Sequence, residues 1–214
     1  MTILQEISET LQRGDDDQVG DLVSHAIAAG VPPQDILNGG LIAGMNVIGE
    51  QFRIREIFLP DVLLAARAMY AGLDLLKPLL ARDGVPSAGK IVIGSVQGDL
   101  HDIGKNLVGI MLKGAGFEVI DLGHDVPPAR FVDAAVEHGA TMIGLSALLT
   151  TTMPVMQEVI ALLDARGLRS RVRVIVGGAP VSEAWAREIG ADGYAYDAAN
   201  AVDRVRALAA GVPA

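Results

Sequence analysis

Gly98-Asp99-Leu100-His101-Asp102-Ile103-Gly104-Lys105-Asn106 follows an apolar, β-branched run, Lys90 to Val96, and precedes an amphipathic stretch, Leu107 to Ala115. A β-branched run followed by glycine and then by apolar residues at helical spacing spells a strand, a loop and a helix. Within a few residues the loop holds two carboxylates, an imidazole and a lysine. Its glycines let the backbone turn tightly or come close to a ligand.

The same grammar repeats downstream. Glu118–Leu122, Met142–Leu145, Arg173–Val176 and the weaker Gly193–Ala195 read as buried strands. Between and after them lie helical stretches at Lys105–Ala115, Pro128–His138, Met153–Arg166, Val181–Ile189 and Ala199–Ala209. Alternating β and α units predict an α/β fold: a doubly wound, five-stranded parallel, flavodoxin-like sheet covered on both faces. In such a sheet of order 2-1-3-4-5, ligands bind beyond the carboxyl ends of the strands, where strand order reverses between strands 1 and 3. Asp99 and His101 follow strand 1, Ser146, Thr150, Thr151 and Thr152 follow strand 3, and Gly177-Gly178 follows strand 4. Each signal is weak alone, and their convergence on one sheet edge marks the site.

Upstream, from Thr2 to Arg82, the patterns are helical. Ile3, Ile7 and Leu11 form one stripe, and Val19, Leu22, Val23, Ala26 and Ile27 a second. Leu37, Leu41, Met45, Ile48 and Phe52 follow Pro32-Pro33, and a fourth stripe from Val62 to Leu76 follows Leu59-Pro60. Four stripes predict an N-terminal four-helix bundle over residues 1–82. Residues 83–89, rich in glycine, proline and serine, read as a linker, and 90–214 as the α/β domain.

The bulk numbers narrow the function. Half of the 214 residues are hydrophobic and 20% charged, enough for a packed core, and the net charge of −9 argues against nucleic-acid binding. No secretory signal and no apolar run of about 18 residues is present, so the expectation is a cytoplasmic protein off the membrane. With no cysteine, thiolate metal sites and thiol nucleophiles are excluded. The first βα turn lacks the glycine spacing of a phosphate loop or dinucleotide fingerprint. Ser146 sits in Gly144-Leu145-Ser146-Ala147-Leu148, without the second glycine of a hydrolase nucleophile elbow. Asp99, two residues before His101, has another use: a metal-bound histidine needs its second ring nitrogen held by an acceptor.

Asp99-x-His101-x-x-Gly104, Ser146-x-Leu148 and Gly177-Gly178, at these separations, resemble the cobalamin-binding module of methionine synthase and of the corrinoid methyl-carrier proteins of methyltransferase systems. In the helical half, Gly44-Met45-Asn46-Val47-Ile48-Gly49-Glu50-x-Phe52, Phe58-Leu59-Pro60-x-Val62 and Ala66-Arg67-x-Met69 are similar to the capping bundle that precedes that module. The resemblance implies cobalamin with His101 as the lower ligand to cobalt, in place of the cofactor's own base. It implies that Asp99 holds the His101 ring, and that Thr152 continues the relay where methionine synthase has a serine. The loop Gly98, Asp99, Leu100, His101, Asp102, Ile103 and Gly104 would contact the cofactor. Leu148 would contact the cofactor too, and Ser146 and Thr150 would touch the base of the detached nucleotide tail, with Gly177 and Gly178 leaving room for it. Ala199, in Asp197-Ala198-Ala199, is a weaker cofactor contact, and Phe52, Leu59 and Val62 would cover the upper face. Where many relatives carry a glutamate in the third helix, this chain has Asn38-Gly39.

The resemblance further implies a protein that carries a methyl group on cobalt and is not catalytic alone. Its partners would be a substrate-specific methyltransferase, a second methyltransferase acting on tetrahydrofolate or coenzyme M, and a reductive activase. The alternative is a cobalamin-dependent sensor without catalytic activity.

Overall fold

The computed structural model describes residues 1–82 and 87–211. The expected linker, 83–89, therefore lies mostly outside the described residues. Contacts along the chain divide it into two compact units, Met1–Pro86 with Gly114–Gly116, and Ser87–Lys113 with Phe117–Ala214.

The first unit is helical. α1 spans Ile3–Gln12 and α2 Asp16–Ala28; α3, Pro33–Asp35, runs without a break through a π-helical turn, Ile36–Ile42, into α4, Ala43–Arg53; α5 spans Leu59–Arg82. The starts follow capping rules. Thr2 Oγ1 accepts from Gln5 N–H while Gln5 Oε1 accepts from Thr2 N–H, and the Asp15 carboxylate accepts from Gln18 N–H. Four rods result, as the stripes predict, but the third is not uniform. Its π turn coincides with Gly39-Gly40, where α1 lies very close: a Cβ on Gly40 would stand 2.9 Å from Ile7 Cγ2. Ile7, Leu11, Val19, Val23, Ile36, Leu41, Met69 and Leu76 form the fully buried side of the bundle.

The second unit is a five-stranded parallel sheet of order β2-β1-β3-β4-β5. Its strands are β1 Lys90–Ser95, β2 Glu118–Asp121, β3 Met142–Ser146, β4 Arg173–Gly177 and β5 Gly193–Ala195. The helices are α6 Ile103–Gly114, α7 Pro128–His138, α8 Pro154–Ala165, α9 Glu183–Glu188 and α10 Ala198–Ala209. β1, β3 and β4 are buried along nearly all their length because helices cover both faces, and this is why they read as continuous apolar runs. Ser95 pairs with Ser146, and Ser146 with Gly177, so three strands end in line. The reversal of order falls between β1 and β3, as expected from the sequence.

One ion pair fixes where α6 begins. Lys105, in its first turn, is 5% exposed, and its ammonium lies 2.6 Å from both carboxylate oxygens of Asp121, at the end of edge strand β2, and 2.5 Å from Asn106 Oδ1. Removing one partner of such a pair strands a charge away from water. Asp121→Ala is expected to lower unfolding stability by about 3 kcal/mol, whereas Lys105→Met with Asp121→Leu should recover most of it. Urea denaturation of the single and double variants checks this.

Candidate functional site

Asp99 organises the carboxyl edge of the sheet. Its side chain is fully buried, yet every oxygen lone pair has a donor. Oδ2 accepts from Leu148 N–H at 2.6 Å, Leu149 N–H at 3.2 Å and the Thr152 hydroxyl at 2.9 Å. Oδ1 accepts from His101 N–H at 3.1 Å and lies 2.8 Å from His101 Nδ1. Burial pushes the carboxyl up, but the donors, Leu148 N–H first and then the His101 ring, His101 N–H and the Thr152 hydroxyl, outweigh it. They hold the group well below the usual carboxylate range. Beside an ionised acceptor, Nδ1 carries the proton, so Nε2 keeps its lone pair. The His101 side chain is 52% exposed, which leaves that lone pair open to a ligand.

The loop around this pair is clasped from both sides of β1. Ser95, fully buried at the strand's end, donates its hydroxyl to the His101 carbonyl at 2.6 Å. On the β2 side, Gly98 N–H donates to Asp125 Oδ1 at 2.7 Å, and Asp125 N–H donates to the Asp99 carbonyl at 3.0 Å. Gly98 has φ +83°, a conformation in which a side chain is strained. Sequence reasoning did not single out Ser95 or Asp125. A hydroxyl at the end of an otherwise apolar strand was the available signal for the first; nothing local signals the second.

The other expected residues take varied places. Thr152, 6% exposed, shares one hydroxyl proton between Asp99 Oδ2 and the Leu149 carbonyl, each at 2.9 Å. Ser146 is half-buried in register with Ser95, Thr150 is exposed, and Ala199 is buried in the first turn of α10 behind the Asp197 cap. Asp102 closes the first turn of α6, its carbonyl accepting from Asn106 N–H at 2.7 Å, and Gly104 is exposed. Gly177 and Gly178 have a reason to be glycine that is independent of any ligand. A Cβ on Gly177 would lie 2.9 Å from the Ala195 carbonyl oxygen, and one on Gly178 only 1.8 Å from that of Ala147. Phe52, Leu59 and Val62 belong to the helical unit, where Val62 has no exposed surface and the other two are partly exposed.

The donor set fits a metal that arrives with most of its ligands. Among the described residues no three His, Asp or Glu side chains gather as a simple ion site requires. One imidazole with an open Nε2 stands instead among large apolar side chains left in water: Leu100 (67% exposed), Ile103 (73%), and Leu148 and Leu149 next to the Asp99 carboxylate. Such a rim suits a bulky ligand with apolar surface that would bring a metal already carrying most of its ligands. Among the described residues no helix is long and apolar enough to cross a membrane.

Comparison with known proteins agrees. Residues 89–204 match a family described as a B12 binding domain, and residues 3–77 match a second family of the same description. A corrinoid protein of Desulfitobacterium hafniense is 46% identical over 206 residues, covering 95% of each chain. A dimethylamine corrinoid protein of Methanosarcina acetivorans is 47% identical, covering 96% of each. Among solved structures, the methanol:cobalamin methyltransferase complex of Methanosarcina barkeri contains a chain similar at TM-score 0.88 and 32% identity, over 99% of this chain and 81% of that one.

Proposed function

The chain belongs to the B12-binding corrinoid proteins, and on that footing we propose that it carries a methyl group on cobalt from a substrate-specific methyltransferase to a second methyltransferase acting on tetrahydrofolate or coenzyme M. Bound cobalamin supplies a cobalt centre that accepts and releases a methyl group. The observation that carries the reading is the buried Asp99 carboxylate 2.8 Å from His101 Nδ1, on an imidazole whose side chain is half exposed.

The protein's part follows from that arrangement. Asp99 keeps the proton on Nδ1, so His101 Nε2 would hold the cofactor's cobalt and would be made a stronger donor by the carboxylate behind it. The Thr152 hydroxyl, 2.9 Å from both Asp99 Oδ2 and the Leu149 carbonyl, supports the carboxylate at its other oxygen. Leu100, Ile103 and Leu148, exposed beside the histidine loop, would lose water against a bound cofactor, which would favour binding by about 25 cal/mol per Å² of apolar surface covered. We assign residues 90–214 to cofactor binding and 1–82 to capping, with Phe52, Leu59 and Val62 as its cofactor contacts. The relatives named for methylamines point to methylated amines as the donors to test first. The setting proposed is the cytoplasm, with a reductive activase as a third partner.

Reconstitution with hydroxocobalamin tests this. The protein is expected to show a spectrum without the cofactor's own base on cobalt, with a nitrogen ligand that His101→Ala removes. After reduction, a labelled methyl group should move onto the protein when a dimethylamine or trimethylamine methyltransferase and its substrate are added. Failure to bind cobalamin, or a spectrum indifferent to His101→Ala, would sink the proposal. Binding without methyl uptake from any methyltransferase, accompanied by a change of oligomeric state, would favour a sensor instead.

A further inference from the structure

We infer that Asp125 is a positioning residue for the histidine ligand, holding the Asp99–His101 pair from the β2 side as Leu148, Leu149 and Thr152 hold it from the β3 side; this rests on the function proposed above. Asp125 lies 24 residues from His101 along the chain, in the segment between β2 and α7. That segment is sewn to the end of β1. Ser95 N–H donates to the Gly123 carbonyl and Val126 N–H to the Ser95 carbonyl, each at 3.0 Å, and Val96 and Val126 form a parallel bridge. Asp125 closes the seam with both ends of the residue: its N–H donates to the Asp99 carbonyl at 3.0 Å, and its carboxylate accepts from Gly98 N–H at 2.7 Å.

Two features separate this from ordinary loop bonding. Asp125 has φ +55°, and besides Arg55 it is the only non-glycine among the described residues with positive φ. That conformation is unfavourable for an L-residue, though aspartate tolerates it better than most. It also directs N–H and carboxylate at the main chain of two consecutive residues: the Asp99 carbonyl, in the 99–100 peptide, and the Gly98 N–H, in the 97–98 peptide. Those two groups set the direction of the Asp99 side chain, because Asp99 has a fixed partner on its other side in Leu148 N–H at 2.6 Å. With the Asp125 carboxylate removed, the Gly98 peptide can rotate, and the Asp99 Oδ1 to Nδ1 bond loses its alignment. The fold has no need of that alignment, whereas a ligand bond at Nε2 does.

The test compares Asp125→Asn, Asp125→Ala and Asp125→Gly. Asparagine keeps an oxygen that can accept from Gly98 N–H and tolerates the same φ. Glycine removes the oxygen and relieves the conformational cost. In the apoprotein, the downfield NMR signal of the His101 Nδ1 proton should persist in the wild type and Asp125→Asn, and broaden through faster exchange in Asp125→Gly. In the cobalamin-loaded protein, Asp125→Gly and Asp125→Ala should bind about tenfold more weakly and lose part of the His101-dependent absorption, while Asp125→Asn stays within about threefold of wild type. Asp125→Gly should melt no lower than wild type, so its weakness is not unfolding. If Asp125→Gly binds as tightly as wild type with an unchanged Nδ1 signal, or Asp125→Asn is as weak as Asp125→Gly, the inference is overturned. A wild type lacking His101-dependent absorption would instead overturn the proposed function, and the apoprotein signal would still decide the role of Asp125.

Discussion

Asp99→Asn is expected to abolish coordination by His101 while leaving most of the fold in place. The substitution keeps shape but exchanges one oxygen for an amide, and every partner of Asp99 is a donor. The surviving oxygen will turn toward Leu148, Leu149 and Thr152, where three donors converge. The amide then faces His101 Nδ1, which can answer only by giving up its proton and accepting. The proton moves to Nε2, and a protonated Nε2 has no lone pair for cobalt. Cobalamin affinity should fall by about 10- to 100-fold, and the His101-dependent absorption should disappear; retention of both would refute the tautomer argument. The stability cost is about 1–3 kcal/mol, from one misdirected amide. It should also depend on pH. The native carboxyl titrates well below the unfolded value of about 3.9, so its contribution to stability is complete above about pH 4 and is lost as the pH falls further. The stability gap between wild type and Asp99→Asn should therefore be constant near neutrality and narrow in acid, as urea titrations at stepped pH would show.

Gly178→Ala should be more damaging, and to the empty protein. Gly178 has φ +122°, and a Cβ there would lie 1.8 Å from the Ala147 carbonyl oxygen and 2.8 Å from its carbon. No rotamer relieves a clash between a Cβ and backbone. Nor can the backbone easily withdraw: Ala147 N–H donates to the Gly177 carbonyl at 3.2 Å, Val96 N–H to the Ser146 carbonyl and Val181 N–H to the Gly178 carbonyl, each at 3.0 Å. A loss exceeding about 4 kcal/mol, or an insoluble product, is the expected result. Gly177→Ala is milder, about 1–3 kcal/mol, because its 2.9 Å neighbour is the Ala195 carbonyl on the short edge strand β5, which can shift. Thermal melts of the two apoproteins separate this account from one in which these glycines only make room for a nucleotide tail. On that view, both variants would melt like wild type and differ only in cobalamin binding.

These cases show what the sequence could and could not convey. The buried strands were legible because β1, β3 and β4 are covered on both faces and must be continuously apolar. Alternation of strand and helix conveyed the parallel, doubly wound class, and the order came with the flavodoxin-like arrangement expected for five strands. Boundaries moved by a residue or two where a polar residue still belongs to the ladder, as Ser146 does opposite Ser95. The π turn at Ile36–Ile42 was hidden, since its apolar spacing imitates a regular helix and the close approach of α1 at Gly40 that accompanies it is a tertiary contact. Asp99 and His101 stood out because they are two residues apart. Asp125 and Ser95 did not, because their roles exist only after β1 and the β2–α7 segment have been brought side by side. The reason for Gly178 was hidden in the same way: its crowding neighbour is in a different loop.

The clasp around Asp99 is built mostly from main-chain groups: the N–H of 98, 101, 125, 148 and 149, and the carbonyls of 99 and 101. Peptide groups are present whatever the side chain. Positions 148 and 149 can therefore be recoded without loosening the histidine's support, and their exposed side chains would be free to adapt to whatever ligand or partner meets that rim. A library randomised at these two positions should be rich in folded members that keep the Nδ1 bond. The scaffold thus separates the inheritance of its chemistry from the drift of its specificity.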